Sequence, residues 1–311
     1  MRDQTVHAAT VNQQPVKSAS LFALVMSLLL VAGILRCWNL NQSFWWDEIW
    51  STVPYATSSS LWQTVSSLGY YFNNHLLYSL LARFSIKLLG ESEIAARLPA
   101  VIMGLTAVAA LFVTGKKFLG IGSGILSALL LAISAFHIDH TSEARGYSGL
   151  ALFSLLSSYC FLSGLRTNRL APWLQFIVFT ILGVYSHPFM LAVCLAQFLC
   201  AVFFFVAGKS GARRIAVPFP VLRSVVLSLL SAAIVTLALY APVLADYVHN
   251  LGKVRIVAVT RWPFIISLFS SWCPGIERPL GSIVYGALFC GGIVVCGRKD
   301  PRLAIYTVVL S

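Results

Sequence analysis

Apolar runs of close to 20 residues recur along almost the whole chain, beginning with "SLFALVMSLLLVAGIL" at 20–35. A bilayer imposes that length on a helix, because about 20 residues cross its hydrocarbon core and each backbone polar group must be satisfied within the segment. Length and pattern predict helices near 19–36, 97–114, 121–138, 147–165, 171–186, 188–207, 220–242 and 280–297, with another starting at 302. The expected fold is an all-α polytopic membrane protein with about nine transmembrane helices. Charged residues make up 10% of the 311 positions and hydrophobic ones 58%. A soluble domain carries about 25% charge, so no sizeable soluble domain is expected. The last run stops at "YTVVLS", partway through a span, and a carboxy-terminal truncation is expected.

The chain carries a net charge of +12, with 22 Lys and Arg against 10 Asp and Glu. Most cations sit in short loops between apolar runs, which is the pattern that orients membrane proteins, so nucleic acid is not an expected partner. Residues 37–96 hold turn signals and an amphipathic run, "HLLYSLLARFSIKLLG", at 75–90, with Arg83 and Lys87 four apart. That run predicts a helix lying along the interface with one charged face. The segment 37–96 then forms a long first extracytoplasmic loop, with the amino terminus inside. Lys116, Lys117, Arg166, Arg169, Lys209, Arg213, Arg214, Arg298, Lys299 and Arg302 fall inside, and only Asp3 and Asp300 among the acids accompany them. Asp47, Glu48, Glu91, Glu93, Asp139, Glu143, Asp246 and Glu277 fall outside, as do Lys253, Arg255 and Arg261.

Residues 1–18 read as a disordered cytoplasmic tail and 19–311 as one transmembrane domain. The first run is followed by "RCW", which offers no small-residue cleavage site, so it is expected to stay as an anchor. The cysteines show no metal-ligand spacing; most read as small buried hydrophobes, and a Cys37–Cys273 bridge on the outer side is one option. Asn41-Gln42-Ser43 fits a glycosylation triplet, a weak signal.

Two outer segments concentrate chemistry. In "NQSFWWDEIW", at 41–50, adjacent acids Asp47 and Glu48 must serve different partners, since neighbours do not point the same way in regular structure. One could act as a general base and the other support it or a metal, or both could be incidental to an aromatic interface belt. In "FHIDHTSEARGYS", at 136–148, His137, Asp139, His140 and Glu143 supply nitrogen and oxygen donors, Arg145 can hold a phosphate, and Tyr147 follows. Asp47, Asp139 and Glu143 are the expected ligands of a magnesium or manganese ion. "NNHLLY" adds Asn73, Asn74, His75 and Tyr78, while His187 in "SHPF" reads first as a turn residue.

The order of these pieces is distinctive: "DE" after the first helix, then "NNHLLYSLLARFSIKLLGESEIAARLPAVIMG", "GKKFLG" and "EARGYS". Over roughly residues 20–210 the chain resembles the dolichyl-phosphate-mannose protein mannosyltransferase-like group of GT-C membrane glycosyltransferases. The resemblance implies an enzyme of the GT-C fold, in a bacterial inner membrane. It would take a sugar from a polyprenyl-phosphate donor to a lipid, glycan or protein acceptor on the outer face. It also implies that Asp47 activates the acceptor, that Glu143 is a second acid near the same cavity, and that Arg145, His75, Tyr78 and Tyr147 serve substrate binding. Leu76 and Leu77 stand where the group often has prolines. A single displacing base predicts inversion, by analogy with the glycosidase rules. The competing readings are a transporter or lipid flippase, which would carry ionisable groups at mid-bilayer, and an inactive, truncated glycosyltransferase.

Overall fold

The computed structural model describes residues 18–67, 73–211, 214–244, 248, 290–294 and 296–310. The tail, Arg213, Asp246, Cys273, Glu277, the outer cations Lys253, Arg255 and Arg261, and most of the expected span at 280–297 lie outside them. The regular structure described is helical throughout. In chain order it comprises α1 (Ser18–Cys37), α2 (Trp46–Ser51), α3 (Val53–Ala56), α4 (Leu61–Val65), α5 (Leu76–Leu89) and α6 (Glu93–Leu119). There follow α7 (Ile121–Ile133), α8 (Ala135–His140), α9 (Tyr147–Thr167), α10 (Leu170–Ser186), α11 (Met190–Lys209), α12 (Phe219–Tyr240) and α13 (Pro301–Leu310).

Among the described residues, five helices are long and apolar enough to cross a membrane: α1, α6, α9, α11 and α12 with its short extension to Val243. Helices α7 and α10 are apolar but shorter. The expected single helix over 121–138 is broken in two. Ser134 adopts an extended ψ of 114° and its hydroxyl caps the next turn by accepting from the His137 amide, which starts α8 in a new direction. Gly120 turns the chain between α6 and α7 with φ 103°, a conformation that a side chain disfavours.

Consecutive helices run up and down, so their ends sort by charge. Glu93 opens α6 and Lys116 and Lys117 close it; Glu143 precedes α9 and Arg166 closes it. At the basic end Asp300 pairs with Arg166, and Arg302 donates to the carbonyls of Leu165 and Ala216. The core beneath lies between α9, α10, α11 and α12, around Phe161, Phe176 and Phe204. Leu30, Leu126, Leu199 and Leu237 stay exposed on the helix surfaces, as lipid-facing positions do.

At the acidic end, buried arginines tie the loops to the bundle. Arg36, 1% exposed, donates to Thr141, to the carbonyls of Ala32 and Ala132, and meets His137 Nδ1 at 2.6 Å. It thereby fastens α1 to α7 and α8. Helix α5 is present as expected, but not with the expected charged face. Arg83 is buried and donates to Ser58, whereas Lys87 is exposed. The small helices α3 and α4 fold over α5 and take that guanidinium as a bonding partner.

Candidate functional site

The "DE" pair occupies the first turn of α2, and its two acids diverge as their adjacency requires. Glu48 points inward and is fully buried. Its Oε1 accepts from Arg97 Nε at 2.8 Å and from the Ala144 amide at 2.7 Å, and its Oε2 from Arg97 Nη2 at 2.6 Å. Arg97 Nη1 continues to the carbonyls of Leu40 and Gln42. The bidentate pair thus pins residues 40–48 to α6 and to the "EARGYS" loop. Thr52 reinforces that junction by donating to the Ala144 carbonyl. Glu48 was expected to be catalytic; its carboxylate, with no exposed surface, is spent on Arg97 and backbone amides in the wall of the depression that Glu143 also lines.

Asp47 points the other way. Its carboxylate, 38% exposed, accepts from Arg145 Nη1 at 2.9 Å, and the Arg145 side chain is only 10% exposed. Trp46, Asp47, Trp50, Asn73 and Arg145 line a depression of about 340 Å³. The Arg145 guanidinium lies 4.7 Å from the Tyr147 ring and 5.6 Å from that of Trp45. Beyond Asp47 its polar contacts are long, 3.4 Å to Asn73 Oδ1 and 3.5 Å to the Tyr147 hydroxyl. Its Nε is buried with no hydrogen-bond partner. A guanidinium offers five donors, so this one is held in place and mostly unspent.

Three imidazoles surround it. His75 stacks on His187 at 4.9 Å, His187 stacks on Tyr147 at 4.8 Å, and His140 lies 5.1 Å from Tyr147. Burial, with Arg145 nearby, pushes His75 down to about 3 and His187 to about 4, and lowers His140 as well. All three are therefore neutral near pH 7, each able to donate one hydrogen bond and accept another. His75 Nε2 and His140 Nδ1 are buried without partners. Gly146 makes the cluster possible: a Cβ there would lie 2.3 Å from the Ser186 carbonyl and 2.9 Å from His75. Only a bare backbone lets the start of α9 close on His75 and the end of α10.

Tyr78, expected to bind substrate, is fully buried, and its hydroxyl donates to the Ala96 carbonyl at 2.7 Å. That expectation is corrected as well, since the side chain joins α5 to α6. Asn74 is likewise structural, donating to the carbonyls of Thr64 and Ser67. His187, read first as a turn residue, belongs to the cluster. Arg97 went unnoticed in the sequence, although a lone arginine at the start of a long apolar run is the signal that marks such a partner.

Glu143 lines a second depression, of about 630 Å³, with Asp139, Trp38 and Trp45. Burial pushes its carboxyl up to about 7 against the pull of Arg145, with Glu48, Asp139 and Asp47 adding to the rise. Asp47 thus opens onto one depression and Glu143 and Asp139 onto its neighbour. Among the described residues no three His, Cys, Asp or Glu side chains assemble into a metal-holding group. The expected magnesium or manganese set of Asp47, Asp139 and Glu143 does not fit these positions.

Residues 74–238, just over half of the chain, match the dolichyl-phosphate-mannose-protein mannosyltransferase family. No curated protein matches the chain. The matched segment includes His75, Glu143, Arg145, Tyr147 and His187 but stops short of Asp47. Asp47 joins this group through its bond to Arg145.

Proposed function

The chain belongs to the dolichyl-phosphate-mannose-protein mannosyltransferase family, and from that premise we propose that it moves a sugar from a polyprenyl-phosphate donor to an acceptor hydroxyl at the Asp47–Arg145 depression. The family makes it a membrane glycosyltransferase. The observation that carries the finer reading is Arg145: a buried cation bonded to the more exposed Asp47 carboxylate, with an unbonded Nε beside neutral imidazoles.

In this reading the acceptor oxygen attacks the anomeric carbon of the donor while Asp47 takes its proton. The bond from that carbon to the phosphate oxygen breaks, and polyprenyl phosphate leaves with the electron pair. Leaving adds one negative charge to the phosphate, and Arg145 meets it with Nε and Nη2 in a water-poor setting where such a contact is strongest. Binding of the donor phosphate draws the guanidinium away from Asp47 and frees that carboxylate as the base. His75, His187 and Tyr147 orient the phosphate and sugar as hydrogen-bond donors. One displacement inverts the anomeric centre. A polyprenyl carrier lies in the bilayer and presents its head group at the interface, which suits a site at the helix ends. The abundance of cations at the opposite end favours an extracytoplasmic site. No step is routed through a metal, because the donor set does not fit one.

Arg145→Lys tests the assignment. Lysine keeps the charge but not the fork or the ring stacking, so kcat with a polyprenyl-phosphate sugar should fall about 100-fold, the scale of losing one such contact. Unchanged turnover would remove Arg145 from the leaving-group role.

A further inference from the structure

The 630 Å³ depression beside the site has no part in the steps above. Its size is that of a ligand pocket, which typically spans about 300–1,000 Å³. The two arginines on its wall are unavailable to a ligand. Arg36 is bonded to Thr141, His137 and two carbonyls, and Arg97 to Glu48 and the loop carbonyls. What remains to meet a ligand are two indoles, Trp38 at 79% and Trp45 at 46% exposure, an aliphatic edge of Ile34, Leu35 and Ile138, and polar groups that include Asn39, Ser142, Asp139 and Glu143.

An anion would meet two carboxylates and no free guanidinium there. A hydrocarbon chain would leave the amide, hydroxyl and carboxylate groups unpaired, at a cost for each. A sugar ring satisfies both halves of the lining. Its C–H face packs on an indole, and its hydroxyls donate to carboxylate and amide oxygens. The two depressions share a wall. Trp45 faces the larger, its neighbours Trp46 and Asp47 face the smaller, and Arg145 touches both Trp45 and Asp47.

We propose that the larger depression is a subsite for the second sugar ring of a glycan acceptor whose terminal hydroxyl reaches Asp47. The proposal rests on the reading of Asp47 as the acceptor base. It specifies a carbohydrate acceptor of at least two rings rather than a polypeptide.

Binding to the full chain in lipid nanodiscs, without donor, tests it. The probes are methyl glycosides of mannose, glucose and N-acetylglucosamine, the matching disaccharides, and a Ser/Thr-rich hexapeptide. At least one disaccharide should bind five-fold or more tighter than its monosaccharide. Trp38→Ala should erase that gain while leaving monosaccharide binding unchanged. Asn39→Ala, also at an exposed position, should reduce the gain and serves as an independent check on the fold. The proposal is overturned if no disaccharide gains over its monosaccharide, if the gain survives Trp38→Ala, or if the hexapeptide alone depends on Trp38. Because no sugar is transferred, a failed Asp47 assignment would show in turnover and leave this binding result standing.

Discussion

Asp47 and Glu48 are neighbours in the chain and occupy opposite environments, and the residues they meet decide what each can do. Glu48 is enclosed by Arg97 and two backbone amides. Removing one partner of such a buried pair costs about 3–5 kcal/mol, so variants at Glu48 or Arg97 lose activity through folding. Glu143 is the residue whose proton equilibrium reports on the site. Its folded carboxyl titrates at about 7 against an ordinary 4.5. Between those values the folded state holds a proton that the unfolded state has released, so stability falls as pH rises through this window. Glu143→Gln fixes the neutral form. Thermal unfolding should therefore show a higher melting temperature for the variant at pH 8 and no difference at pH 4. A variant less stable at pH 8 would contradict the burial-driven shift.

At the scale of elements, the acidic-end loops act as one unit because three contacts lock them: Glu48–Arg97, Arg36 with α7 and α8, and the close approach at Gly146. Gly146 sits at φ −72°, so alanine there is opposed by space alone. Overpacking of this kind costs about 1–3 kcal/mol. Gly146→Ala should lower the melting temperature and cut turnover by displacing His75. Gly122→Ala, with nothing within 4 Å of its Cβ, should be neutral on both measures. If Gly146→Ala matches the parent, the tight junction is not needed. Much at this scale was legible in the sequence. The spans at 19–36, 147–165 and 171–186 differ from α1, α9 and α10 by no more than two residues at either end. The break at Ser134 was not, because a serine within an apolar run reads equally well as a helix residue until its hydroxyl is seen capping the next turn. The burial of Arg83 was hidden for a related reason. Periodicity places a cation on a face but cannot say that α3 and α4 cover that face.

For the whole molecule, sorting of charge by helix end followed from loop composition alone, and the described helices reproduce it. The identity of the pocket was only half legible. Asp47, His75, Glu143, Arg145 and Tyr147 stood out as ionisable or aromatic residues in loops. The partition into two depressions depends on which way Trp45 and its neighbours turn, and no spacing rule encodes that. The orientation is open to direct measurement. Cys37 is exposed at the acidic end and Lys209 at the basic end. In a variant whose only cysteine is Cys37, an impermeant maleimide should label intact cells from outside. A single cysteine placed by Lys209→Cys should label only after permeabilisation. The reverse pattern would put the site on the cytoplasmic face.

The proposed sugar transfer turns on Asp47. Single-turnover transfer from a radiolabelled polyprenyl-phosphate sugar to glycan acceptors, with the protein in lipid nanodiscs, reads that role. Asp47→Asn keeps the shape of the side chain while removing the proton acceptor, and a general base contributes about 100- to 10,000-fold. The parent chain should transfer sugar and Asp47→Asn should lose at least 100-fold, with membrane insertion and melting temperature preserved. Transfer by Asp47→Asn at the parental rate would contradict that role.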